Sequence, residues 1–199
     1  MARATPTLPW SGAMMMAGVL ALGAPFGAPE TSALGAAPAP VSVEVDLSDR
    51  ELRVVDAEGG TVRTFSVAVG SAGHPTPPGS YTLERMVWNP RWVPPPDREW
   101  ARGATAKAPG AANNPMQVVK IYFREPWYYI HGTNAPESMG QAASRGCIRM
   151  RPEDARELAL LLMRETGDAR GEGWAGSVLS SGRSEEIYLP VSVPFTIRP

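Results

Sequence analysis

The stretch IHGTNAPESMGQAASRGCIRM, residues 130–150, holds Cys147, the one cysteine of the chain, and His131, one of its two histidines. Cysteine attacks carbonyl carbon as a thiolate, and an ordinary thiol is mostly protonated at neutral pH. A histidine within reach takes that proton, and the imidazolium then steadies the thiolate. Gly146, directly before the cysteine, permits backbone shapes that other residues resist and exposes amides that could hold an oxyanion. A cysteine–histidine pair alone is more often structural than catalytic. Other chemistries fit less well. A zinc site takes about four ligands, and one cysteine with two separated histidines falls short of that without carboxylates. The G-x-S-x-G elbow of serine hydrolases does not occur. A papain-like arrangement places cysteine ahead of histidine, and here the histidine comes first.

Elements able to position such a pair follow from pattern. A chain of 199 residues with 20 glycines and 21 prolines suits a loop-rich β domain of ordinary size better than a helix bundle. Nineteen basic against 20 acidic residues leave no cationic excess for phosphate backbones, so nucleic acid is not an expected partner. VSVEVDL, ELRVVDA and TVRTFSVAVG, from residue 41 onward, alternate apolar and polar positions and predict an antiparallel meander. YTLERMVW predicts a fourth strand, and QVVKIYF and WYYIHG two more. In the last of these, Trp127, Tyr129 and His131 share one face by the two-residue period. The long irregular stretch from Asn89 to Pro115 is of a size that is more often functional than idle. RPEDARELALLLMRETG predicts a helix that opens on Pro152 and two acids, buries Ala155, Leu158, Leu161 and Leu162, and stops at Gly167. GWAGSVLSSG suggests a short second helix, and EEIYLPVSVPFTIRP strand-like runs interrupted by proline. His74, in the proline-rich loop 71–80, is expected at the surface.

Residues 1–40 differ from the rest. A basic start at Arg3, an apolar run from about Ala13 to Leu22 and then small residues have the layout of a secretory signal peptide, followed by an Ala/Pro-rich linker. The apolar run is shorter than the roughly 20 residues that a membrane-spanning helix needs. The expected organisation is therefore a signal peptide and linker over 1–40 and one exported domain over 41–199, in the periplasm or cell envelope. In such a compartment an unpaired cysteine stands out as a reactive thiol or an intermolecular partner.

HGTNAPESMGQAASRGCIRM resembles the signature of the L,D-transpeptidase catalytic domain (YkuD-like) family, whose pattern is HGT, a small-residue loop, then S-x-G-C-x-R. His131, Gly132, Thr133, Ser138, Gly140, Ser144, Gly146, Cys147 and Arg149 fall on it. Upstream, Gly70, Thr76, Pro77, Gly79 and Tyr81 resemble the family's T-P-x-G-x-aromatic stretch, and Asn114–Pro115 its N-P pair. The resemblance covers roughly Val41 to Pro199. Arg145 departs from it, standing where the family often has histidine, so His131 is the sole candidate base in the motif.

The resemblance implies a mainly β (α+β) fold, a β-sandwich of mixed sheets with one main helix after the cysteine and a short C-terminal helix–strand extension. It implies an enzyme acting on peptidoglycan stem peptides, with no metal or organic cofactor. Cys147 would cleave the bond between the L-centre of the third residue and the terminal D-Ala of a tetrapeptide, and pass the acyl group to an acceptor amine. His131 would be the base, oriented by the carbonyl of Gly132, with Gly146, Cys147 and the supporting Ser144 at the oxyanion turn. Arg149, two residues past the cysteine, could grip a substrate carboxylate or serve as a structural ion pair. Tyr129 and Trp92 could line a donor groove or belong to the core. Covalent inhibition by carbapenem-type β-lactams and a monomeric state are further expectations. An L,D-carboxypeptidase, attachment of a protein to peptidoglycan and a non-catalytic peptidoglycan-binding module are the alternatives.

Overall fold

In the computed structural model, which describes residues 39–199, β1 (Val41–Asp46) buries Val41, Val43 and Val45 and leaves the residues between them half-buried. Asp46 ends the strand by folding its carboxylate back. Its Oδ1 accepts from the backbone N–H of Ser48 at 2.9 Å and of Asp49 at 3.0 Å, which turns the chain into β2 (Glu51–Asp56). Asp56 Oδ1 does the same with the N–H of Gly60 and leads into β3 (Thr61–Ser66). These three strands form the expected antiparallel meander.

The third predicted strand does not continue to Gly70 as one piece. After Ser66 the chain leaves β2, and Ala68 exchanges both backbone hydrogen bonds with Arg149, at 2.9 and 2.8 Å. β4 (Val69–Gly70) then pairs with β8 (Ala142–Ser144) in a two-stranded parallel ribbon. The remaining strands are β5 (Gly79–Trp88), β6 (Gln117–Arg124), β7 (Tyr128–Gly132), β9 (Ile148–Met150) and β10 (Glu185–Arg198), and the main sheet runs β3-β2-β1-β10-β5-β6-β7-β9. Since Ala68 continues from β3 at one edge and bonds Arg149 of β9 at the other, the eight-stranded sheet is rolled almost closed. The mixed sheets expected of a sandwich thus take the form of one curled sheet with a small ribbon.

The C-terminal segment is a central strand rather than an appendage. β10 lies parallel to β1 and antiparallel to β5, burying Ile187, Leu189, Val193, Phe195 and Ile197. Its register slips between Tyr188 and Val193, around Pro190, which cannot donate to a ladder. α1 (Pro152–Glu165) opens on proline with Glu153 and Asp154 in the first turn and packs on β6 and β7. Ala155, Leu158, Leu161 and Leu162 are buried as the spacing predicts, joined by Ala159 and Met163. The helix ends where the N–H of Asp168 reaches the carbonyl of Met163 and that of Gly167 the carbonyl of Arg164. α2 (Glu172–Ser180) sets Trp174 edge-on to Trp88, with ring centroids 5.3 Å apart. Among the described residues no helix is long and apolar enough to cross a membrane. The expected signal peptide lies outside the described residues.

Candidate active site

The cross-strand register assembles the site. Parallel pairing of β7 with β9 puts His131 opposite Arg149, and antiparallel pairing of β6 with β7 puts Lys120 opposite His131 and Tyr122 opposite Tyr129. Lys120, His131 and Arg149 therefore form one row across three strands. Two residues back along β7 and β9 stand Tyr129 and, at the mouth of β9, Cys147. The Tyr129 ring lies edge-on to both neighbours, 5.7 Å from His131 and 5.5 Å from Tyr122 by centroid. His131 and Cys147 open into one cleft of about 450 Å³.

His131 is 3 % exposed. Its Nδ1 lies 2.8 Å from the Gly132 carbonyl oxygen, which can only accept, so Nδ1 carries the proton and Nε2 the lone pair. Burial holds the imidazole neutral by lowering its pKa to about 4. The bond to Gly132 opposes that shift, while the nearby charges of Arg149 and Lys120 reinforce it. Burial likewise pushes the half-buried Cys147 thiol up to about 11, against the N–H of Tyr129 and the charges of Arg149 and Lys120. The Sγ–H donates to the Trp127 carbonyl at 3.3 Å. Both shifts favour a neutral thiol beside a neutral imidazole. Burial thus works against the ready-made thiolate–imidazolium pair suggested by residue types alone.

The turn before the cysteine is tied by Ser144. Its buried Oγ donates to the Cys147 carbonyl at 2.5 Å and accepts from the Gly146 N–H at 3.0 Å. Gly146 has φ +104°, and a β-carbon there would stand 2.9 Å from Cε1 of Tyr128, so no other residue fits without displacement. The Gly146 amide is thereby committed to the turn rather than turned outward. Thr133 and Ser138 hold the loop between β7 and β8: Thr133 Oγ1 accepts from the Ala135 N–H and Ser138 Oγ donates to the Ala135 carbonyl.

Two further loops wall the cleft. In the first, the Gly70 N–H donates to the buried Thr76 Oγ1 at 2.8 Å, and the Tyr81 hydroxyl to the Pro77 carbonyl at 3.0 Å. A β-carbon on Gly70 would meet the His74 carbonyl and the Thr76 nitrogen at 2.3 Å, so glycine alone permits this fold-back. The loop presents Pro75, Pro77 and Pro78 to the cleft; His74 is exposed, as expected, yet sits on its rim. In the second, residues 89–116, buried Asn114 donates to the carbonyls of Pro90 (2.8 Å) and Ala108 (3.0 Å) and accepts from the Met116 N–H (2.9 Å). Trp92 and Lys107 exchange backbone bonds, and Trp92, Arg98, Trp100 and Met116 face the cleft.

Of the residues singled out from the sequence, Cys147, His131, Ser144, Arg149, Tyr129 and Trp92 line this cleft, while Gly132 and Gly146 do not line it but bond His131 Nδ1 and Ser144 Oγ. Arg149 and Tyr129 face it, and so does Trp92 from the second loop. Sequence reasoning missed Trp100 and treated Arg145 only as a departure. The Arg145 guanidinium lies over the Trp100 ring, 4.3 Å from its centroid. Only the length and tryptophan content of the loop hinted at this contact. Among the described residues no three His, Cys, Asp or Glu side chains converge as metal ligands would.

A lone thiol and a neutral imidazole that open into one cleft between two loops can carry out cysteine-dependent acyl transfer. The chain belongs to the L,D-transpeptidase catalytic domain (YkuD) family, whose model matches residues 40–172. It is similar to "Probable L,D-transpeptidase ErfK/SrfK" of Escherichia coli K12, 37% identical over 122 residues, 58% of this chain and 39% of the relative. It is also similar to "Probable L,D-transpeptidase YbiS" of the same organism, 34% identical over 104 residues, 49% of this chain and 34% of the relative. The chain thus matches between about a third and two fifths of the length of these relatives. Among solved structures it resembles L,D-transpeptidase 3 from Mycobacterium tuberculosis, with a TM-score of 0.51 at 15% identity over 80% of this chain and 61% of that one. A complex of that protein with a faropenem-derived adduct aligns with the same TM-score.

Proposed function

We propose that this domain is an exported L,D-transpeptidase that joins peptidoglycan stem peptides through a thioester on Cys147. The observation that carries the reading is the His131–Gly132 bond, which leaves Nε2 as the only ring atom able to take a proton. On approach of a tetrapeptide donor the Cys147 proton passes to Nε2, and Sγ attacks the carbonyl carbon of the third residue. The oxyanion is held by the Cys147 amide, the Gly146 amide being occupied by Ser144. Collapse breaks the C–N bond, the Nε2 proton goes to the departing D-Ala amine, and the acyl group stays on sulfur. An acceptor amine then attacks the thioester, gives its proton to Nε2, and the released sulfur recovers it.

Tyr129 is a neutral phenol here, its pKa raised by burial first and then by the neighbouring Cys147 and Tyr122, so it shapes the cleft without adding charge. Arg149 is suited to the carboxylate of the leaving D-Ala, and Trp92 forms part of the donor wall. Family membership supports action in the cell envelope, and an exposed route to Cys147 supports acylation by carbapenem-type β-lactams.

Incubation with a disaccharide-tetrapeptide, with and without an acceptor stem, followed by mass spectrometry tests the reading. D-Ala release with a new dimer, absent from Cys147→Ala, is the expected result. Tripeptide alone in the presence of acceptor assigns an L,D-carboxypeptidase, a protein acceptor assigns attachment, and no release from folded protein across several third residues leaves a binding module.

A further inference from the structure

The cleft is unusual in its charge. Among the described residues its lining includes Arg98, Arg145 and Arg149 and no aspartate or glutamate. Arg85, Arg156 and Arg170 each meet a carboxylate, whereas Arg91, Arg124 and Arg183, outside the cleft, meet none among the described residues. Among the described residues no carboxylate oxygen comes within 4.0 Å of Arg145 or Arg149, and Arg98 reaches its neighbour Asp97 only at 4.0 Å. The guanidinium groups of Arg145, in the turn before Cys147, and Arg149, four residues on, repel each other. Burial is the main cause that makes the cationic form of Arg149 harder to hold; Cys147 opposes it, and Arg145 adds a smaller push in the same direction as burial, with Glu137 opposing.

Arg145 is exposed at the cleft, where one face of its guanidinium is covered. Its guanidinium is stacked over Trp100 of the 89–116 loop, and both residues line the cleft. Stacking uses the face of the group and leaves its N–H edge available, and through that edge arginine can bind a carboxylate bidentately. An occupant rich in carboxylate would cancel the repulsion, and a neutral one would not.

We propose that Arg145, held on Trp100, binds a second free carboxylate of the donor stem, beside the one suited to Arg149, so that the site selects acidic stems over amidated ones. This rests on the transpeptidase reading and adds its substrate class. The contact lies away from the reacting carbon, so it acts on KM more than on kcat.

The test compares two tetrapeptide donors ending in D-Ala that differ only at the third residue, a diamino diacid with its side carboxyl either free or as the primary amide. The wild type should favour the free acid in kcat/KM by roughly tenfold, the value of one charge-assisted hydrogen-bonded contact. R145Q should bring the two donors within about twofold, R145K should keep part of the preference, and W100A should lose most of it by releasing the guanidinium. Equal rates for both donors in the wild type, or an unchanged ratio in R145Q with unaltered melting temperature, would overturn the proposal. Calorimetric binding of the same two donors to Cys147→Ser reads the preference without turnover. If neither donor releases D-Ala, the transpeptidase reading fails while this binding ratio still decides the assignment of Arg145.

Discussion

Alkylation of Cys147 separates a resting neutral pair from a resting ion pair. The thiol is the only one in the chain, so iodoacetamide incorporation followed by intact mass has a single readout. Burial raises its pKa from 9.0 to about 11. That shift lowers the thiolate fraction near neutral pH by about a hundredfold, and the more basic thiolate recovers somewhat less than tenfold through greater nucleophilicity. Cys147 should therefore alkylate about tenfold more slowly than an open thiol at pH ~7, before any steric slowing. The log rate should climb by about one unit per pH unit through pH ~9 without levelling off. His131 holds its proton only below about pH 4, so no second rise should appear near the ordinary histidine range. His131→Gln should change this profile only a few-fold, because the histidine does not create the resting thiolate. The same variant should lower acyl transfer by about a hundredfold to ten-thousandfold, the usual worth of a positioned base. A plateau of alkylation reached below pH ~7, abolished in His131→Gln, would mean that a preformed thiolate–imidazolium pair exists and that the neutral-pair argument is wrong.

Three further outcomes follow from the walls of the site. Ser144→Ala removes the buried hydroxyl that joins the Gly146 amide to the Cys147 carbonyl, and should cost about 1–3 kcal/mol in urea unfolding while lowering kcat. Gly70→Ala forces a β-carbon to within 2.3 Å of backbone atoms of His74 and Thr76; it should open the 71–78 loop, raise KM and increase amide exchange there ahead of the sheet. Asn114→Ala unties three side-chain bonds of the 89–116 loop. It should reduce kcat/KM strongly with a smaller change in melting temperature, since those bonds hold a loop and not the rolled sheet; a loss of melting temperature as large as that of a core truncation would refute this.

The residue types and local periods of the chain were enough to determine most of its elements. Alternating valines made β1, the spacing of Ala155, Leu158 and Leu162 made α1, and the Gly70-to-Tyr81 and His131-to-Arg149 motifs carried the family likeness. Such features are decided within a few residues by the pleat, the helical turn or a side chain bonding its own backbone. Tertiary structure decided the rest. Pro190 and Pro194 divide the C-terminal sequence into separate strand-like runs, yet β10 lies whole between β1 and β5, its apolar Val193, Phe195 and Ile197 buried. The break at Ala68 depends on a partner, Arg149, 81 positions further along the chain. The protonation states of His131 and Cys147 are set by what covers them, and the seat of Arg145 is set by a tryptophan 45 positions earlier. Burial and long-range contact are properties of the closed fold, and no local window of sequence contains them.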